Sequence, residues 1–133
     1  MTVVHLGYFE DFKDDDTLLF AGDQAGLELL EKELRLLAEG YTDLVAVHSL
    51  PFVDSHRGVE LVAYRSVYDS GVSGSKSKFI WERSKSGWND TFEKIASLKN
   101  SEHGHHYLDA KNDELTIMVS KGEYSKEWWK VHG

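Results

Sequence analysis

Glu102 to Asp109, EHGHHYLD, is the stretch of this chain richest in groups that can do chemistry. On an extended strand His103, His105, Tyr107 and Asp109 share one face, and His106 and Leu108 share the other. Imidazoles at i and i+2 can both ligate one zinc ion, with Asp109, His48 or His56 as the third ligand. His48 lies on the strand that holds the corresponding place in the first half of the chain. The set His103, His105 and Asp109 therefore defines one functional reading: a metal-dependent hydrolase or metal-binding domain, with zinc as the cofactor. No H-E-x-x-H or other full metal signature accompanies it. The same pattern equally describes a solvent-facing strand with pH-sensitive imidazoles, or a face that meets a partner.

Other chemistries have less to work with. The chain has no cysteine, which excludes disulfides and thiolate metal sites and suits a reducing cytoplasm. It has no G-x-S-x-G, and its serines cluster in linker-like segments that would hold no nucleophile and base in register. Gly22 and Gly26 end a strand-like run and open a leucine-striped helix, the place where phosphate cradles occur. The spacing is only G-x-x-x-G, however, so neither the dinucleotide fingerprint nor the P-loop is present. Asp23 also puts a carboxylate where the phosphate would sit, so the turn reads as a helix cap.

These residues need elements to position them. Val3–Phe12 reads as a first strand or an irregular arm, followed by a charged turn, Lys13 to Asp16. Thr17 to Ala21 reads as a buried strand. A helix starts near Asp23, presents Leu27, Leu30, Leu34 and Leu37 to a core, and is capped by Gly40. Leu44 to Val53 is a strand interrupted by the only proline, Pro51, which favours an edge or a strand end. Val59 to Tyr68 is a further strand, and the Gly/Ser-rich segment 69–77 reads as a flexible connection. The pattern then recurs: strand Lys78–Glu82, helix Ser86–Leu98, strand His103–Asp109, turn Lys111–Asp113, strand Glu114–Ser120. Superposing Gly26 on Gly87 sets Phe20 on Trp81, Leu27 on Trp88 and Leu34 on Ile95. The expected fold is a single α+β domain over 1–133, with a largely antiparallel sheet and two packed helices. It reads as two tandem β-α-β-β units, 17–68 and 78–120, sharing one sheet.

Charge points to a kind of partner. The net charge is −8. Residues 1–70 carry 14 acids against 5 bases, and residues 71–133 carry 9 acids against 10 bases. Such a chain is a poor ligand for nucleic acid. Its acidic half suits a basic protein partner, or serves solubility alone. Asp14, Asp15, Asp16, Glu28, Glu31 and Glu39 are the candidate contacts on that half. Trp128 and Trp129 near the C-terminus join them as candidate partner-binding residues. Adjacent on any regular element, the two rings point different ways, so one can pack while the other stays accessible. No secretion signal is expected from MTVVHLGYFEDFKDDD, and no apolar run approaches the ~20 residues that span a bilayer, so the expected location is cytoplasmic.

FAGDQAGLELLEKELRLLAEG, followed downstream by HGHHYLDAKNDELTIMV, resembles the small bacterial proteins of immunity protein family 32, which are associated with polymorphic toxin loci. The matching positions are Gly22, Asp23, Gly26, Leu27, Leu30, Leu34, Leu37, His103, His105, Asp109, Glu114 and Leu115, about 40 residues in two blocks. The chain departs from the family in the 60 residues from Tyr41 to Asn100, where the family has a short connection. The resemblance implies a non-catalytic protein that neutralises a cognate toxin by binding it, and the acidic composition suits a basic protein partner such as a toxin nuclease. An inhibitor from a phage or mobile element that mimics nucleic acid by its charge fits the same composition.

Overall fold

The computed structural model describes residues 3–12, 15–112 and 115–133 of the chain. Asp14 and Glu114 lie outside the described residues, as do Lys13 and Asp113 of the two expected turns.

The fold is α+β. Strand β1 (Val4–Phe12) turns into β2 (Asp15–Ala21), which feeds helix α1 (Gln24–Glu39). Asp23 caps α1 by accepting from Gly26 N at 2.8 Å, and Gly40 ends it in the left-handed region at φ 79°. The expected carboxylate cap is therefore in place, and the glycine turn serves to start a helix. After α1 come β3 (Leu44–Ala46), a 3₁₀ turn (Val47–Ser49), β4 (Val53–Ser55) and β5 (Glu60–Arg65). The second half runs β6 (Gly71–Ser75), β7 (Lys78–Arg83), α2 (Lys85–Lys99), β8 (Gly104–Asn112), β9 (Leu115–Lys121) and α3 (Lys126–His132). Ser84 caps α2 through Gly87 N, and Ser125 caps α3 through Trp128 N. No helix among the described residues is long and apolar enough to cross a membrane.

The sequence leads to one sheet; the structure has two, both mixed. The first has the order β4-β1-β2-β9-β8 and the second β3-β5-β7-β6. Sequential neighbours pair antiparallel within hairpins: β1 with β2, β6 with β7, and β8 with β9. The two halves of the chain meet in parallel, β2 on β9 and β5 on β7. Each sheet thus takes a hairpin or strand pair from both halves. Phe20 lies opposite Val119 at one junction and Trp81 opposite Ala63 at the other.

Two expected elements differ. The segment 69–77 is not a loose connection, because Gly71 to Ser75 pairs along β7 as an edge strand and buries Val72. The stretch Leu44–Val53 is not one strand. It breaks at Val47–Ser49, and Pro51 precedes β4, which joins the other sheet. Proline has no N–H for a ladder, and that fits a change of sheet at this point.

One core joins both sheets and both long helices. Leu6, Leu18, Phe20, Ile117 and Val119 from the first sheet meet Leu27, Leu30, Leu34 and Leu37 of α1, Ile95 and Leu98 of α2, and Leu61 and Trp81 of the second sheet. The leucine stripe of α1 supplies its face at the spacing that a helix requires. Alternation along β2 and β9 sends Leu19, Ala21 and Met118 to the opposite face of the first sheet. There α3 covers them with Trp129. Helices α1 and α3 therefore lie on opposite faces of this sheet.

Candidate functional site

The strand expected to carry the chemistry, β8, does not gather His103, His105 and Asp109. His103 is exposed before the strand begins. His105 Nδ1 sits 3.0 Å from Glu123 Oε2, and Ser120 Oγ donates to Glu123 Oε1 at 2.6 Å. Asp109 has turned away, because the register slips between Tyr107 and Asp109. Such a bulge inserts a residue and reverses the facing of the residues beyond it. Asp109 is 4% exposed and accepts from Trp81 Nε1 at 2.9 Å. Of the two further ligands offered with this strand, His48 accepts from Leu61 N through Nδ1 at 3.0 Å, so it serves the second sheet, and His56 belongs to a different cluster.

A different histidine pair does converge. Strand pairing lines up Asp54, His5, Ala21, Ser120 and His105 in one row across the outer face of the first sheet. His105 is three strands from His5, about 14 Å at the usual inter-strand spacing. At the other end of the row His5 and Asp54 are adjacent, and His56 follows Asp54 at i+2. His5 Nδ1 lies 2.9 Å from His56 Nε2, and Asp54 Oδ2 lies 3.7 Å from the first and 3.6 Å from the second. This is the one set of three such ligand groups that converges among the described residues. Trp129 covers it, stacked on His5 at 4.9 Å and on His56 at 4.7 Å. Burial, and after it the His56 ring, hold the His5 imidazole below its ordinary value of 6.5, so it resists protonation.

Beside this cluster α3 forms one wall of a groove of about 750 Å³. Tyr8, Phe9, Phe12 and Trp128 give it an aromatic lining, the exposed Glu10 and Asp11 an acidic lip, and Arg57 and Lys76 two basic groups. Asp16 adjoins that lip, its Oδ1 accepting from Asp11 N at 3.0 Å, and Asp15 pairs with Phe12. The Tyr8 phenol is raised above its ordinary value of 10.0, first by burial and then by Asp16 and Glu10.

The proposed partner-binding residues do not form one surface. Asp15, Asp16 and Trp128 gather at the β1–β2 hairpin end. Glu28 and Glu39 are exposed on α1, on the opposite side of the sheet, beside Lys32 and Arg35 respectively. Glu31 is 6% exposed and holds Lys99 of α2 at 2.7 Å, so it is an internal tie and not a contact. Trp129 is 2% exposed and packs inward. The sequence does carry a trace of the convergent cluster, since Asp54 and His56 have the same i, i+2 spacing as His103 and His105. His5 gave no signal, because nothing local shows that β1 pairs with β4.

Comparison with protein-family models, with curated proteins and with solved structures finds no match to the chain.

Proposed function

We propose that the chain is a non-catalytic protein-binding module, most concretely a toxin-neutralising immunity protein that acts in the cytoplasm on a basic partner. One observation supports this reading above the others: the acidic end of the β1–β2 hairpin adjoins an aromatic groove. Glu10, Asp11, Asp15 and Asp16 bring negative charge to the rim, and Phe12 and Trp128 bring apolar surface beside it. Rim charges steer a basic partner and fix its orientation, while aromatic anchors supply most of the affinity. Arginine suits both, since its guanidinium pairs with carboxylates and lies flat on aromatic faces. The net charge of −8 favours encounter with the same class of partner.

The test is titration of the purified chain with the products of its neighbouring genes, a basic effector domain among them being the expected partner. A complex should form whose association slows as salt is added. Asp15→Lys with Asp16→Lys, and separately Trp128→Ala, should each weaken it about tenfold or more, a loss of ~1.4 kcal/mol or above. Glu28→Lys with Glu39→Lys, which changes the net charge equally but lies away from the groove, should weaken it far less. Absence of a complex, or one indifferent to the hairpin changes, would overturn the reading.

A further inference from the structure

We propose that His5, Asp54 and His56 bind one divalent transition-metal ion of the zinc type. The separations of 2.9, 3.7 and 3.6 Å define a triangle whose centre lies about 2.0 Å from each ligand atom. That is the usual length of a zinc–nitrogen or zinc–carboxylate bond, so an ion fits without moving a strand. Two imidazoles and a carboxylate favour zinc over calcium or magnesium, which need more oxygen ligands and more water. Three protein ligands leave the fourth position open to water, a small ligand or a partner's side chain.

The cluster is also held in shape. His5 and Asp54 are register partners on neighbouring strands. His56 N donates to Leu6 O at 2.9 Å, which fixes the chain just beyond β4. Trp129 lies nearly parallel to the His5 ring, at 14°, and tilted by 26° from the His56 ring. Stacking against this indole restricts the orientation of both ligand rings. Trp129 Nε1 is buried with no acceptor among the described residues, so an acceptor brought by an incoming ligand would displace no protein bond. Lys126 lines a pocket beside His5 and opposes a cation there, and the Asp54 carboxylate offsets it.

Untagged, chelator-treated protein titrated with Co²⁺ and then Zn²⁺ tests the site without any partner, so it stands or falls apart from the protein-binding reading. The expected result is one equivalent of Co²⁺ with the strong visible bands of low coordination, quenching of tryptophan fluorescence, and displacement by Zn²⁺. Asp54→Asn and His56→Gln should each weaken binding about tenfold or more. His103→Ala and His105→Ala should bind as the parent does. The Asp54 side chain is 57% exposed, so its variant should keep the fold, as circular dichroism would verify, and it decides the matter if His56→Gln unfolds. No saturable binding, or binding that survives Asp54→Asn but is lost in His103→Ala or His105→Ala, would overturn the proposal.

Discussion

Trp129 joins the packing of α3 to the histidine cluster in a single side chain. It sits over Gly7, where an added Cβ would come 2.8 Å from its ring, and it closes the small core with Leu19, Ala21 and Met118. Removing a buried indole costs its transfer energy and leaves a cavity. Trp129→Ala should therefore lose about 3–5 kcal/mol in denaturant unfolding. Trp128→Ala, at a half-buried position on the groove, should lose clearly less. The adjacency of the two tryptophans allowed this division, because neighbouring residues on a helix face different ways, but it did not say which ring packs or that only one does. Tyr8 carries a second prediction. Its folded pKa is raised, so the stability linked to it is complete below pH 10.0 and is lost as pH rises through the folded value. In a pH titration followed by phenolate absorbance, Tyr8→Phe should remove a component that ionises above the ordinary tyrosine range. If that component persists, the burial and the acids around Tyr8 are not what delays its ionisation.

At the scale of elements, legibility followed the range of the forces involved. Helix α1 is written locally: an Asp cap, a leucine stripe and a terminal glycine fall within Asp23 to Gly40, and each does what its type dictates. Strand β6 is not written locally, because glycine and serine favour turns and only pairing with β7 makes the segment extended. Gly74 shows how closely that pairing is fitted. Its φ is 131°, and a Cβ there would run into the backbone carbonyl of Lys78. Gly74→Ala should cost about 1–3 kcal/mol from the backbone conformation, and the clash adds to it. Ser73→Ala beside it should stay within about 0.5 kcal/mol, as exposed positions do. Equal melting temperatures for the two variants would mean that β6 contributes little to the fold. The bulge in β8 was illegible for a related reason. A strict two-residue alternation put Asp109 beside His105, and the slip that turns it towards Trp81 depends on a contact 28 residues away.

The whole molecule is built by exchange between its halves, and its stability should reflect that. Hairpin β1–β2 belongs to the first half of the chain but completes its sheet only with β9 and β8 of the second. Strand β7 of the second half in turn completes its sheet with β5 of the first. At the β2–β9 junction the buried hydroxyls of Thr17 and Thr116 meet at 3.1 Å across a separation of 99 residues. Contacts of this range slow folding, since chain entropy is lost before they form. They also leave neither half with a complete sheet. Each half alone would expose one face of its long helix and the strand edge meant for the other. The fragments 1–69 and 70–133, prepared separately, should therefore show no cooperative thermal transition and little dispersion in their amide spectra. Mixed in equal amounts, they should recover the circular dichroism and the melting transition of the intact chain, because all four hairpin and strand-pair units are then present to make both parallel junctions. A fragment that folds cooperatively alone would show that the two halves are independent units that merely adjoin. In that case the likeness between Phe20 opposite Val119 and Trp81 opposite Ala63 would say nothing about how the protein is assembled.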